Sequence, residues 1–86
     1  MPQYDITLAR SARKELQAIP LTTAKRILTR IELLESNPRP SGCKKLQGHT
    51  NLWRIRVGEY RVVYSIDDYE YKVDISIIRH RSEAYQ

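Results

Sequence analysis

The sequence predicts an α+β domain: an antiparallel sheet of about four strands with an N-terminal helical hairpin packed on one face. Three observations carry this. Apolar residues recur at helical spacing between residues 9 and 34, and the period falls to two from Lys44 onward. Pro and Gly clusters punctuate the change, at Asn37-Pro38-Arg39-Pro40-Ser41-Gly42 and at Gly58-Glu59. The whole is 86 residues, room for a single domain over residues 1–86 with a thin core.

Each element follows from its pattern. Tyr4, Ile6 and Leu8 alternate with Asp5 and Thr7, a short half-buried strand. Ala9, Ala12, Leu16 and Ile19 then line one face of a helix, with Arg10, Arg13, Lys14 and Glu15 on the others. Pro20 suits the first turn of a second helix, where a missing N–H costs nothing. That helix carries Ala24, Ile27, Leu28, Ile31 and Leu34 inward. Trp53, Ile55 and Val57 alternate with Arg54 and Arg56, and Gly58-Glu59 makes a hairpin turn whose leading glycine favours type II′. Tyr60, Val62, Tyr64 and Ile66 face inward on the next strand. Asp67-Asp68 opens another turn, and Tyr71, Val73, Ile75 and Ile77 form the last. The order is β-α-α-β-β-β, followed by a short C-terminal turn or helix.

The net charge of +5 points to an anionic partner, a nucleic acid or an acidic protein. A single cysteine, Cys43, excludes an internal disulfide and fits a reducing cytoplasm; it reads as a small residue in the turn after Ser41-Gly42. His49 and His80 have no metal-ligand spacing, so no metal or cofactor is expected. The N-terminus has no signal-peptide pattern, and no apolar run is long enough to span a bilayer.

Alternation forces Arg54, Arg56 and Arg61 onto the solvated face of the hairpin, with Lys44 and Lys45 extending its edge. Three like charges there bring no folding benefit, and arginine's planar fork suits phosphate oxygens. Glu59, Asp67 and Asp74 are acids that could pair with some of them. The chain then closes on Arg79-His80-Arg81-Ser82-Glu83-Ala84-Tyr85, directly after an apolar strand. Strict alternation from Tyr71 places Arg79 on the apolar face. A break or bulge near Ile77-Ile78 is therefore expected, turning Arg79 over the basic face, with Arg81 to Tyr85 crossing it.

The Leu52-Trp53-Arg54-Ile55-Arg56-Val57 strand, the Gly58-Glu59-Tyr60-Arg61-Val62-Val63-Tyr64 hairpin and the Arg79-to-Tyr85 tail resemble the RelE toxins of bacterial toxin–antitoxin pairs. The resemblance covers nearly the whole chain. It implies a ribosome-dependent endoribonuclease that cuts mRNA in the A site and is silenced by an acidic, partly disordered cognate antitoxin, through which the complex binds operator DNA. By position, it implies that Arg54 and Arg56 act at the scissile phosphate and that Arg61 stabilises the transition state. Arg79 and Tyr85 match the family's tail arginine and tyrosine. Arg54 and Arg56 depart from the lysines common at those positions.

The chemistry sharpens the assignments. Attack of a ribose 2′-OH on its own phosphate needs a base, an acid for the 5′-oxygen and cations for the dianionic phosphorane. Arginine serves the third need and, staying protonated, serves the first two badly. Proton transfer is left to Tyr85 or His80. Arg81, Lys44 and Lys45 complete the expected RNA contacts. Two alternatives stand beside this: a ParE-like toxin that inhibits DNA gyrase by binding, and a non-catalytic basic module.

Overall fold

A computed structural model describes residues 3–82 of the chain. Its elements run β1 (Asp5–Leu8), α1 (Arg10–Ala18), α2 (Leu21–Leu33), β2 (Lys44–Lys45), β3 (Trp53–Val57), β4 (Tyr60–Asp67) and β5 (Lys72–His80). The α+β class, the element types and the helical hairpin on one face are as expected. Two features of the sheet are corrected. It has five strands rather than four, in the order β1-β5-β4-β3-β2. It is mixed rather than antiparallel, because β1 runs parallel to β5 with Ile6 opposite Val73 and Leu8 opposite Ile75. A two-residue strand such as Lys44–Lys45 has no period to read, and the parallel pair joins opposite ends of the chain.

The core lies between the sheet and the hairpin. α1 packs over β5 and α2 over β3. Ala12, Ile19, Ala24, Ile27, Ile31 and Leu34 from the helical half meet Ile55, Val57, Val62, Tyr64, Ile66, Val73, Ile75 and Ile78 from the sheet. Three inward expectations fail: Leu28 is 38% exposed on α2, Ile77 is 36% exposed on β5, and Tyr71, 42% exposed, precedes β5 with a positive φ of 56°. Pro20 stands just before the first residue of α2, and its carbonyl accepts the Ala24 N–H at 2.9 Å.

Ile77 faces out because β5 bulges. Val63 pairs with Ile77 and Tyr64 with Ile75, so Ser76 has no partner on β4. The bulge lies just before the expected position, and the strand continues past it to His80. One extra residue reverses which side every later side chain takes. Ile78 therefore turns into the core at 2% exposure, and Arg79 turns out. The Ser76 carbonyl accepts the Ser11 hydroxyl of α1 at 3.0 Å.

At the far edge, the buried Tyr64 hydroxyl donates to the Pro38 carbonyl at 2.7 Å. With its hydrogen committed there, it accepts the Cys43 thiol 3.2 Å away. Cys43 thus sits half-buried in the loop after Gly42, as a small packed residue. Burial, reinforced by the Cys43 contact, raises the Tyr64 phenol well above its ordinary value. Among the described residues, no helix is long and apolar enough to cross a membrane.

Candidate nucleic-acid site

The hairpin register builds the site. Val57 pairs with Tyr60 across Gly58-Glu59, and Gly58 takes φ +60°. Among the described residues the sole non-glycine with positive φ is Tyr71, so Glu59 is not left-handed and the turn is type II′ as expected. This tight turn places Arg56 opposite Arg61. On the other side of β4, Arg61 pairs with Arg79 of β5. Directly opposite residues share a face with Cβ atoms about 4.5–5.5 Å apart. Arg56, Arg61 and Arg79 thus form one row across three strands, on the face away from the helices.

The next row of the same face is Lys44, Arg54, Val63 and Ile77. The face is therefore a basic ladder with an apolar patch: Val63 is buried and Ile77 half-exposed. Lys45 leaves this group. It pairs with Trp53, and its ammonium lies 5.8 Å from the indole centre on the helix side. Asp67 accepts the N–H groups of Tyr69 and Glu70 at 3.0 and 2.9 Å, and Asp74 accepts the Thr7 hydroxyl at 2.8 Å. Neither acid forms an ion pair with Arg56 or Arg79 among the described residues.

The bulge separates the terminal residues. Arg79 joins the arginine row, whereas His80 pairs with Tyr60 on the opposite face, lining a cavity of about 410 Å³ with Thr23, Arg26 and Val57. The structure thus does not bring His80 together with the arginines, because successive side chains of a strand leave opposite faces. Arg81 turns back onto the β3–β4 hairpin: its N–H donates to the Glu59 carbonyl at 2.7 Å and its guanidinium lies 3.8 Å from the Glu59 carboxylate. Tyr85 lies outside the described residues. Among those residues, no group of three or more His, Cys, Asp and Glu side chains converges as metal ligands do.

The opposite end of the strands, where β4 finishes at Asp67 and β3 begins at Trp53, holds a different polar cluster. Arg39 grips Asp68 through two hydrogen bonds of 3.2 and 2.9 Å, and the Tyr4 hydroxyl donates to the same carboxylate at 2.8 Å. The Arg39 guanidinium also lies 4.8 Å from the Trp53 ring centre. The Arg39 bond, followed by that of Tyr4, lowers the Asp68 carboxyl below its ordinary range. The same carboxylate raises Tyr4 and Arg39. Sequence reading missed this cluster, since nothing local links residues so far apart.

Comparison with known proteins places the fold. Residues 6–85 match the model for the ParE toxin of the type II toxin–antitoxin system parDE. The chain belongs to this toxin family. A RelE toxin of Mycobacterium tuberculosis is 32% identical over 84 residues, covering 96% of this chain and 87% of that protein. The RelE–RelB complex of Pyrococcus horikoshii contains a chain similar at 30% identity and TM-score 0.82, with 92% and 96% coverage. The RelBE2 toxin–antitoxin complex of M. tuberculosis gives TM-score 0.83 at 26% identity, covering 95% of each chain. The protein is thus a RelE-like toxin of a toxin–antitoxin pair.

Proposed function

We propose that this toxin is a ribosome-dependent endoribonuclease that cuts mRNA in the A site and so stops translation in the cytoplasm. The observation that carries this reading is the row Arg56–Arg61–Arg79, three fixed positive charges from three strands on one open face. Lys44 and Arg54 flank it as further phosphate contacts. The 2′-oxygen bonds to phosphorus as the bond to the 5′-oxygen breaks, leaving a 2′,3′-cyclic phosphate and a 5′-hydroxyl. Arg61, at the centre of the row, stabilises the phosphorane, with Arg56 and Arg79 on either side. Tyr85 is the proposed proton carrier. His80, on the other face, is not. Arg81 is a peripheral RNA contact, and Lys45 supports Trp53.

The partner is a cognate antitoxin, as the RelE–RelB complexes of related chains support, and the net charge of +5 suits an acidic one. Leu21, Leu28 and Leu33 of α2 are exposed apolar surface for it to cover. A complex with saturating antitoxin should melt well above the free toxin. A second reading, inhibition of gyrase by binding, draws on the ParE name of the matching family model. Mapping breaks after induction separates the two. RNA breaks confined to translated messages at A-site spacing support the nuclease; intact RNA with broken DNA sinks it in favour of gyrase.

A further inference from the structure

The arginine row sets like charges opposite one another across two strand pairs. Like charges directly opposite one another weaken a strand pair, and Arg79 stands one residue from the end of β5, where a strand frays most readily. What opposes this lies on the reverse face. There the His80 ring meets the Tyr60 ring edge-on, at 5.2 Å between centres and 87° between planes. The Ser82 backbone N–H donates to His80 Nδ1 at 3.2 Å. The Ser82 hydroxyl lies 2.8 Å from the same nitrogen, and taking Nδ1 as the acceptor of both donors assigns the ring hydrogen to Nε2. The turn this makes delivers the Arg81 N–H to the Glu59 carbonyl. Ring and turn together fasten the end of β5 to the β3–β4 hairpin.

We propose that His80 is a positioning residue: its Nδ1 acceptor and its contact with Tyr60 hold β5 in register, so that Arg79 stays opposite Arg61. The role rests on the nuclease reading above, and it gives His80 a purpose other than proton transfer. Misplacing a catalytic group by about 1 Å costs on the order of 10²-fold in rate, so loosening this end of β5 is costly.

The two roles separate by substitution. Asn places an acceptor where Nδ1 stands but carries no titrating proton; Leu fills space and accepts nothing. In a reconstituted translation reaction, His80→Asn should cut mRNA within a few-fold of wild type, while His80→Leu should lose on the order of 10²-fold. Asn as inactive as Leu, or Leu as active as wild type, overturns the proposal. Two further measurements judge the clamp without any cutting. The imidazole ¹⁵N signals of His80 should show the Nε2–H tautomer. Amide exchange along the Arg61–Arg79 pair should quicken in the Leu variant alone. The Nδ1–H tautomer, or the same exchange rate in all three proteins, also overturns it. A wild type that cuts no RNA, with the tautomer and exchange pattern as expected, defeats the nuclease reading and leaves the clamp supported.

Discussion

The two ends of this sheet treat arginine in opposite ways. At one end Arg39 is fully engaged: a carboxylate holds it at two points and an indole lies under its plane. At the other, Arg56 and Arg79 flank Arg61 in a row where every nearest cross-strand neighbour is another arginine. The first arrangement fastens loops to the sheet and benefits the fold. The second sets like charges opposite one another, and in the proposed reading a ligand rich in negative charge completes it. Residue type alone does not distinguish them; the difference lies in which side chains the fold sets opposite.

Substitutions break that contrast in order of size. Arg61→Ala should lower cutting of translated mRNA by about 10²–10³-fold, the usual effect of removing one donor aimed at developing charge. The folded state should survive the substitution, with no large fall in the denaturant midpoint. A large fall in the midpoint would show that Arg61 serves the fold instead.

Next comes the packed edge that carries Arg39. Tyr64→Phe removes a buried hydroxyl and leaves the Pro38 carbonyl without its donor. The expected loss is about 1–3 kcal/mol of unfolding free energy in urea, with cutting unchanged in the folded protein. An unaltered midpoint would mean that water replaces the hydroxyl.

Acid should loosen the same end. The Asp68 carboxyl is lowered from 3.8 by Arg39 and Tyr4, so its contribution is complete above that value and is lost as the pH falls through the lower, folded-state value. The stability difference between wild type and Asp68→Asn should stay constant from pH 7 to about 5 and shrink below about 4. A difference that grows on acidification would contradict the assignment. The effect is small, since the group is open to water.

Smallest of all is Glu59→Gln. The Arg81–Glu59 pair is 3.8 Å long with both side chains more than half exposed, at 69% and 61%. It should change the midpoint by a few tenths of a kcal/mol at most, because the backbone bond from Arg81 to the Glu59 carbonyl survives. A loss above about 1 kcal/mol would show that the charge, not the peptide group, holds the turn.

Much of this was legible in the residues. A side-chain period of two assigns Arg54, Arg56 and Arg61 to one face once Ile55, Val57 and Val62 are required in the core, and Gly58 dictates the turn that sets Arg56 against Arg61. Arg79 was legible only as a problem. Strict alternation put it on the wrong face, so a break or bulge was required near Ile77-Ile78, and the structure sets it just before, at Ser76. His80 was misplaced for the same reason, since the residue that follows an outward arginine must point inward.

The sequence by itself determined the helical hairpin, the hairpin of β3 and β4 and the basic face between them, because local spacing decides which side chains share a surface. Only the tertiary structure decided the terminal part. The single unpaired residue Ser76 sends Arg79 to the arginine row and His80 to the reverse face. It likewise decided that β1 lies parallel beside β5 and that Arg39 meets Asp68. Those contacts join distant parts of the chain, and their register is settled by how the whole sheet packs rather than by any pattern along one strand.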